Sequence, residues 1–182
     1  MRTLLLGGVR SGKSRYAGEL ARELGRPVTL IATGAALDEE MQRRIEAHRT
    51  GRPADWSVVE EPTRLGAALR AAAQPNRVLI VDCLTLWLTN LLCGEDAGAL
   101  RRETASLLET LPQLAGHCVL IANEVGLGIM PVNALARRFA DEAGTLHQAL
   151  AARCERVIFM AAGLPFSLKV PEAPLPRASV PQ

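Results

Sequence analysis

Aromatic side chains are scarce in this chain: two Trp, one Tyr and three Phe make up 3% of its residues. Stacking successive bases of a single-stranded nucleic acid needs a platform of such rings, so that partner is not expected. Charge of one sign is scarce too. The formal net charge is +2 and the arginines are scattered rather than gathered in a block, which again argues against nucleic acid. Four cysteines occur (Cys83, Cys93, Cys118, Cys154), with no C-x-x-C pair and no His at metal-ligand spacing, so neither a zinc site nor a redox motif is indicated. Cys83 and Cys118 lie beside or within apolar runs, where a free thiol acts as a small buried hydrophobe, and this use of cysteine points to a reducing compartment. Long apolar runs are missing. The longest, residues 78–93, is broken by Asp82, Thr85, Thr89 and Asn90 and is too short and polar to span a bilayer. The opening MRTLLLGG is shorter than the apolar region of about 7–15 residues in a signal peptide. A cytoplasmic protein with no membrane span is the expectation.

The 182 residues are 48% hydrophobic and 22% charged, an ordinary globular balance. A single domain of this length buries roughly 70% of the surface its unfolded chain exposes. Short β-branched or Leu-rich runs at 3–6, 28–32, 56–59, 78–81, 118–122 and 156–160 read as strands. Helical patterns lie between them at 13–24, 38–50, 64–73, 100–111 and 133–153, the last with Leu135, Phe139, Leu146 and Leu150 near the 3.6 period. Strands alternating with crossover helices predict an α/β fold of the P-loop NTPase kind, its central sheet mostly parallel with helices on both faces. One domain over residues 1–169 is expected. From residue 165 onward five prolines (165, 171, 174, 176, 181) punctuate the chain, so much of that stretch is expected to be extended or disordered, with a flexible tail over 170–182.

The most specific local pattern is Gly7-Gly8-Val9-Arg10-Ser11-Gly12-Lys13-Ser14, which matches G-x-x-x-x-G-K-[ST] between an expected strand and an expected helix. Glycines let successive backbone N–H groups turn inward as an anion nest, and the helix N-terminus adds its positive end. Lys13 is placed to reach the β- and γ-phosphates of a nucleoside triphosphate, and the Ser14 hydroxyl to ligate Mg²⁺. The run Val78-Leu79-Ile80-Val81-Asp82 ends a strand on a carboxylate, the form of a second Mg²⁺ support.

A third feature is the predicted helix over 38–50, stopped by Gly51 and Pro53. Met41, Ile45 and His48 share one face of it, Arg44 precedes His48 by one turn, and Arg49 and Arg52 crowd its end. Two readings fit: a histidine packed in the core, or an imidazole that attacks phosphorus while guanidiniums hold the phosphate oxygens. Glu60 and Glu61, after the strand at 56–59, suit either a ribose or metal contact or plain solvation. His117 and His147 have no comparable surroundings and read as structural or surface residues.

These pieces together resemble the bifunctional adenosylcobinamide kinase / adenosylcobinamide-phosphate guanylyltransferase family. The resemblance is carried by GGVRSGKSRYAGELA, IATGAALDEEMQRRIEAHRTGRPADWSVVE, LIVDCLTLWLTNLL and NEVGLGIMPVNALARRFADEAGTLHQALA, in that order up to the tail. It implies two reactions. The hydroxyl of adenosylcobinamide is phosphorylated from GTP or ATP; then a histidine takes GMP from GTP and passes it to that phosphate, giving adenosylcobinamide-GDP and pyrophosphate. It also implies that His48, in R-I-x-x-H, is the covalent residue. As guanine-nucleotide contacts it implies Gly7 to Ser14, then Ala32, Thr33 and Gly34, then Arg49, Thr50, Gly51 and Arg52, with Glu60 and Asp82. Some relatives carry Glu at position 82 and a second His at position 47; here these are Asp82 and Ala47, which leaves His48 as the sole candidate. A homotrimer with sites at subunit contacts is implied as well. Asn123 and Glu124 follow the strand at 118–122 at the sheet edge where α/β ligands bind, so Glu124 is a candidate to contact the corrinoid arm or assist the acceptor hydroxyl. From the residues alone a plain P-loop small-molecule kinase and a non-enzymatic GTP-sensing module also fit.

Overall fold

The computed structural model describes residues 1–35 and 53–171. The expected helix at 38–50 lies outside the described residues, as does the chain beyond 171. Among the described residues seven strands form one sheet: β1 (Arg2–Gly7), β2 (Val28–Ala32), β3 (Ser57–Glu60), β4 (Val78–Asp82), β5 (His117–Ile121), β6 (Arg156–Ala161) and β7 (Leu164–Lys169). Their order is β3-β2-β4-β5-β1-β6-β7, parallel throughout except for the antiparallel β6–β7 pair. The fold is α/β with a mostly parallel sheet.

The central strands are near-continuous apolar runs because both their faces are covered. Alternate residues feed two cores. Leu4, Leu6, Leu79, Val81 and Leu120 point to one face. There α2 (Leu65–Ala72), α3 (Leu84–Cys93), α4 (Ala99–Thr110) and α5 (Ala134–Arg153) contribute Leu69, Trp87, Leu107 and Leu150. Leu5, Val78, Ile80, Val119 and Ile158 point to the other face, against Ala17 and Ala21 of α1 (Lys13–Leu24). Each fully buried Leu in these layers contributes about 1.5–3 kcal/mol through burial.

Two elements depart from the sequence reading. The apolar run at 78–93 is a strand followed by a helix: Leu84, Trp87, Leu88 and Leu91 bury one stripe of α3, and the polar residues read as interruptions lie off that stripe. The stretch from 165, expected to be extended or disordered and not read as a sheet strand, begins in edge strand β7, entered through a turn with positive φ at Ala162 and Gly163. All its residues are exposed, and Pro165 is tolerated because the strand is an edge. In α5 burial begins at Ala143, so Leu135 near its start is exposed rather than core.

Candidate active site

Parallel pairing brings the carboxyl ends of the strands to one edge. Ala32 lies in register between Glu60 of β3 and Asp82 of β4, and Asp82 in turn lies opposite Ile121 of β5. The 7–14 loop leaves the end of β1 at this edge. Two of its glycines are obligatory. Gly7 has φ +150, and a Cβ there would run into the Met160 carbonyl oxygen and lie 2.8 Å from Ser11 Oγ. Gly12, the N-cap of α1 with φ +97, would press a Cβ to 3.2 Å from Gly163 Cα. The β6–β7 turn braces the loop from outside, Gly163 N donating to Ser11 O at 3.0 Å.

Inside the loop, Lys13 is 7% exposed. Its Nζ donates to Gly7 O at 2.9 Å and Gly8 O at 2.7 Å and lies 3.4 Å from Ser11 Oγ. Burial pushes its pKa down, opposed by Cys83 and Asp82. The ammonium thus sits in the nest with its donors already directed, and the first turn of α1 adds amides that have no intrahelical acceptor. A polyphosphate binding there exchanges loop carbonyls for phosphate oxygens around a preplaced cation. Gly8, Val9 and Arg10 form the exposed crest of the loop.

Ser14 Oγ donates to Asp82 Oδ2 at 3.0 Å. A hydroxyl and a carboxylate this close are a hard oxygen pair that fits Mg²⁺. Among the described residues no group of three or more His, Cys, Asp and Glu could hold a metal. Ser14 and Asp82 would offer such an ion two hard oxygen donors.

Of the remaining expected site residues, Thr33 is fully buried. Its hydroxyl donates to Cys83 O at 2.7 Å and accepts from Cys83 N at 3.0 Å, and its backbone N donates to Asp82 O at 3.3 Å. Thr33 thus ties the turn at Ala32 to Gly34 to the Asp82 end of β4. Glu60 ends β3 at the same edge, exposed. Glu61 caps the approach to α2, its carboxylate accepting from Thr63 N at 3.0 Å and Arg64 N at 2.8 Å. Burial pushes its pKa up, but these amide donors and the Arg64 charge hold it below the usual value. His48, Arg49, Thr50, Gly51 and Arg52 lie outside the described residues.

Two further groups were not singled out in the sequence. Asn90 donates through Nδ2 to Thr33 O at 2.8 Å and Pro62 O at 3.0 Å, binding the ends of β2 and β3 to α3. The helical spacing of Leu84, Trp87, Leu88 and Leu91 would have revealed the helix that carries it. His147, read as structural or surface, is 8% exposed on α5 and faces Glu124, Nδ1 to Oε2, at 3.7 Å. All four cysteines are free, and burial raises the thiol pKa of Cys118 and of Cys154 to about 12. Among the described residues no helix is long and apolar enough to cross a membrane.

Comparison with known proteins agrees with this geometry. The family model described as "CobU: Cobinamide kinase / cobinamide phosphate guanyltransferase" matches residues 3–168. The chain is 57% identical over 169 residues to the bifunctional adenosylcobalamin biosynthesis protein CobP of Pseudomonas aeruginosa, covering 93% of this chain and 98% of that one. It is 39% identical over 182 residues to the bifunctional adenosylcobalamin biosynthesis protein CobU of Escherichia coli K12, covering 93% of this chain and all of that one. In three dimensions it is similar to the RadB recombinase, with a TM-score of 0.51 at 16% identity over 87% of this chain and 73% of that one, a likeness of P-loop fold alone. The chain is an enzyme that belongs to the cobinamide kinase / cobinamide phosphate guanyltransferase family.

Proposed function

We propose that this enzyme carries out two successive transfers in cobalamin nucleotide-loop assembly, the second through a guanylyl-histidine. In the first, the hydroxyl of adenosylcobinamide attacks the γ-phosphorus of GTP or ATP, and the nucleoside diphosphate leaves. In the second, His48 attacks the α-phosphorus of GTP and releases pyrophosphate; the phosphate of adenosylcobinamide phosphate then displaces the imidazole, giving adenosylcobinamide-GDP. Splitting the transfer this way conserves the phosphoryl bond energy on a carrier nitrogen.

Lys13 and the amides of Gly8 to Ser14 hold the polyphosphate. Ser14 and Asp82 hold Mg²⁺, which when bound neutralises charge on the phosphates. Ala32, Thr33, Gly34 and Glu60 border the nucleotide at the adjoining strand ends, and Arg49, Thr50, Gly51 and Arg52, which follow His48 in sequence, are further nucleotide contacts. The observation that carries this reading is the convergence of a buried Lys13 with the Ser14–Asp82 oxygen pair at one sheet edge, in a chain matched by the family over residues 3–168. Free, largely buried thiols agree with a cytoplasmic setting. The loop before α5 exposes Leu127 at 80%, Ile129 at 98% and Val132 at 96%, which supports a contact between copies in a homotrimer.

Product analysis tests the function. With adenosylcobinamide, Mg²⁺ and GTP, the expected products are first the phosphate ester and then adenosylcobinamide-GDP with one pyrophosphate. An enzyme that stops at the phosphate ester lacks the guanylyl transfer, and one that leaves adenosylcobinamide unchanged while converting its phosphate lacks the kinase step.

A further inference from the structure

The kinase step requires a group to receive the proton of the acceptor hydroxyl, one of the two roles that the sequence suggests for Glu124. Among the described residues four carboxylates stand at or just beyond the carboxyl edge of the sheet. Asp82 is engaged with Ser14. Glu61 is engaged with the amides at the start of α2. Glu60 ends β3, which lies four strands from β1, roughly 19 Å at the usual strand spacing. Of these four, Glu124 is the one that follows a strand adjacent to β1 and its loop, since β5 pairs directly with β1.

Glu124 is also registered to that loop through its backbone. Its backbone N donates to Gly7 O at 3.0 Å, the same carbonyl that accepts from Lys13 Nζ at 2.9 Å. The preceding residue is pinned as well, Asn123 N donating to Thr85 Oγ1 at 2.8 Å. On the carboxylate itself, Oε1 accepts from Gly126 N at 2.6 Å and Oε2 faces His147 Nδ1 at 3.7 Å. The Glu124 side chain keeps 21% exposure, enough for a substrate hydroxyl to reach it. His147 sits on the buried stripe of α5 with Ala143, Leu146 and Leu150, yet its Nδ1 is aimed out of that stripe at the carboxylate. Burial favours its neutral form, against the pull of Glu124. A neutral N–H donor orients a carboxylate without quenching its charge, as an imidazolium would. At 3.7 Å the two are longer than a hydrogen bond, the looseness common to catalytic contacts before substrate arrives.

We propose that Glu124 is the general base of the phosphoryl transfer and that His147 is a positioning residue holding its carboxylate toward the acceptor. As the hydroxyl oxygen bonds to the γ-phosphorus, the bridge from that phosphorus to the β-phosphate oxygen breaks and its electron pair stays on the nucleoside diphosphate. The hydroxyl proton passes to Glu124 Oε2, which returns it to solvent after product leaves. This rests on the kinase reading given above.

The experiment is steady-state phosphorylation of adenosylcobinamide by the full chain, with the GTP dissociation constant measured alongside. Glu124→Gln is expected to lower kcat by at least about 100-fold while the KM for adenosylcobinamide and the Kd for GTP stay within about twofold of wild type. His147→Leu is expected to lower kcat by about tenfold, and His147→Gln, which restores an N–H donor, to recover most of that loss at unchanged KM. A Glu124→Gln kcat near wild type, or an effect confined to KM or to GTP binding, overturns the assignment of Glu124. Equal kcat in wild type and His147→Leu overturns the positioning role. Should Glu124→Gln not fold, Glu124→Asp decides, with a lowered kcat supporting the base and an unchanged one opposing it. A wild-type chain that does not phosphorylate adenosylcobinamide instead removes the kinase reading itself.

Discussion

Ser14 Oγ donates to Asp82 Oδ2 across 3.0 Å, joining the first turn of α1 to the end of β4. The two residues are 68 positions apart and meet because β1 and β4 both pair with β5 and end at the same edge. The bond keeps both oxygens on one spot, where a divalent cation would meet a preformed pair.

Asp82→Asn keeps an acceptor for Ser14 but removes the charge. The Mg²⁺ concentration for half-maximal phosphorylation is expected to rise at least about tenfold, equivalent to about 1.4 kcal/mol of lost metal affinity. Thermal unfolding without nucleotide should be close to wild type, because the hydrogen bond survives. A Mg²⁺ titration of the variant checks this, and an unchanged midpoint removes Asp82 from the metal site.

Gly7→Ala places a methyl against the Met160 carbonyl at a φ that L-residues rarely adopt. We expect a loss of roughly 3 kcal/mol in stability, together with nucleotide binding. Gly144→Ala, in α5 where nothing lies within 4 Å of a new Cβ, is expected to gain about 0.5–1 kcal/mol. Urea unfolding of the two variants should therefore shift in opposite directions.

The fold was legible where one residue type has one physical use. Gly7 and Gly12 announce positive φ, and the runs at 28–32 and 78–81 announce strands buried on both faces. Helix α3 was obscured because Asp82 separates two buried elements without a turn signal, so strand and helix fuse into one apolar stretch. Strand β7 was obscured because an exposed edge carries no burial pattern and its proline reads as a breaker. The contact of Glu124 with His147 depends on how α5 docks, 23 residues along the chain, and no local spacing encodes it. The loop at 7–14 and the strand-end carboxylate Asp82 were legible as separate motifs, and the Ser14–Asp82 contact brings them together. The role proposed for His48 comes from the family resemblance, because a histidine on the apolar face of the expected helix is, taken alone, more often a packed core residue.

His147 also makes stability depend on pH. Burial lowers its folded pKa below the ordinary value near 6.5, so the unfolded chain takes up the proton first. Its contribution is complete above about pH 6.5 and is lost as pH falls from there toward the folded value. Wild type should therefore lose more stability than His147→Asn between about pH 7.5 and 5.5. His117 shifts in the same direction, chiefly through burial, but is present in both proteins and cancels. Unfolding curves whose difference is independent of pH over that window contradict this.

The most direct test is the state of His48 after incubation with GTP labelled at the α-phosphate, in the presence of Mg²⁺. The expected result is a mass gain of one GMP on the peptide containing His48, acid-labile and base-stable, which disappears in His48→Ala and is chased into adenosylcobinamide-GDP when adenosylcobinamide phosphate is added. Formation of adenosylcobinamide-GDP at the wild-type rate by His48→Ala, with no adduct on any histidine, contradicts a guanylyl-histidine intermediate.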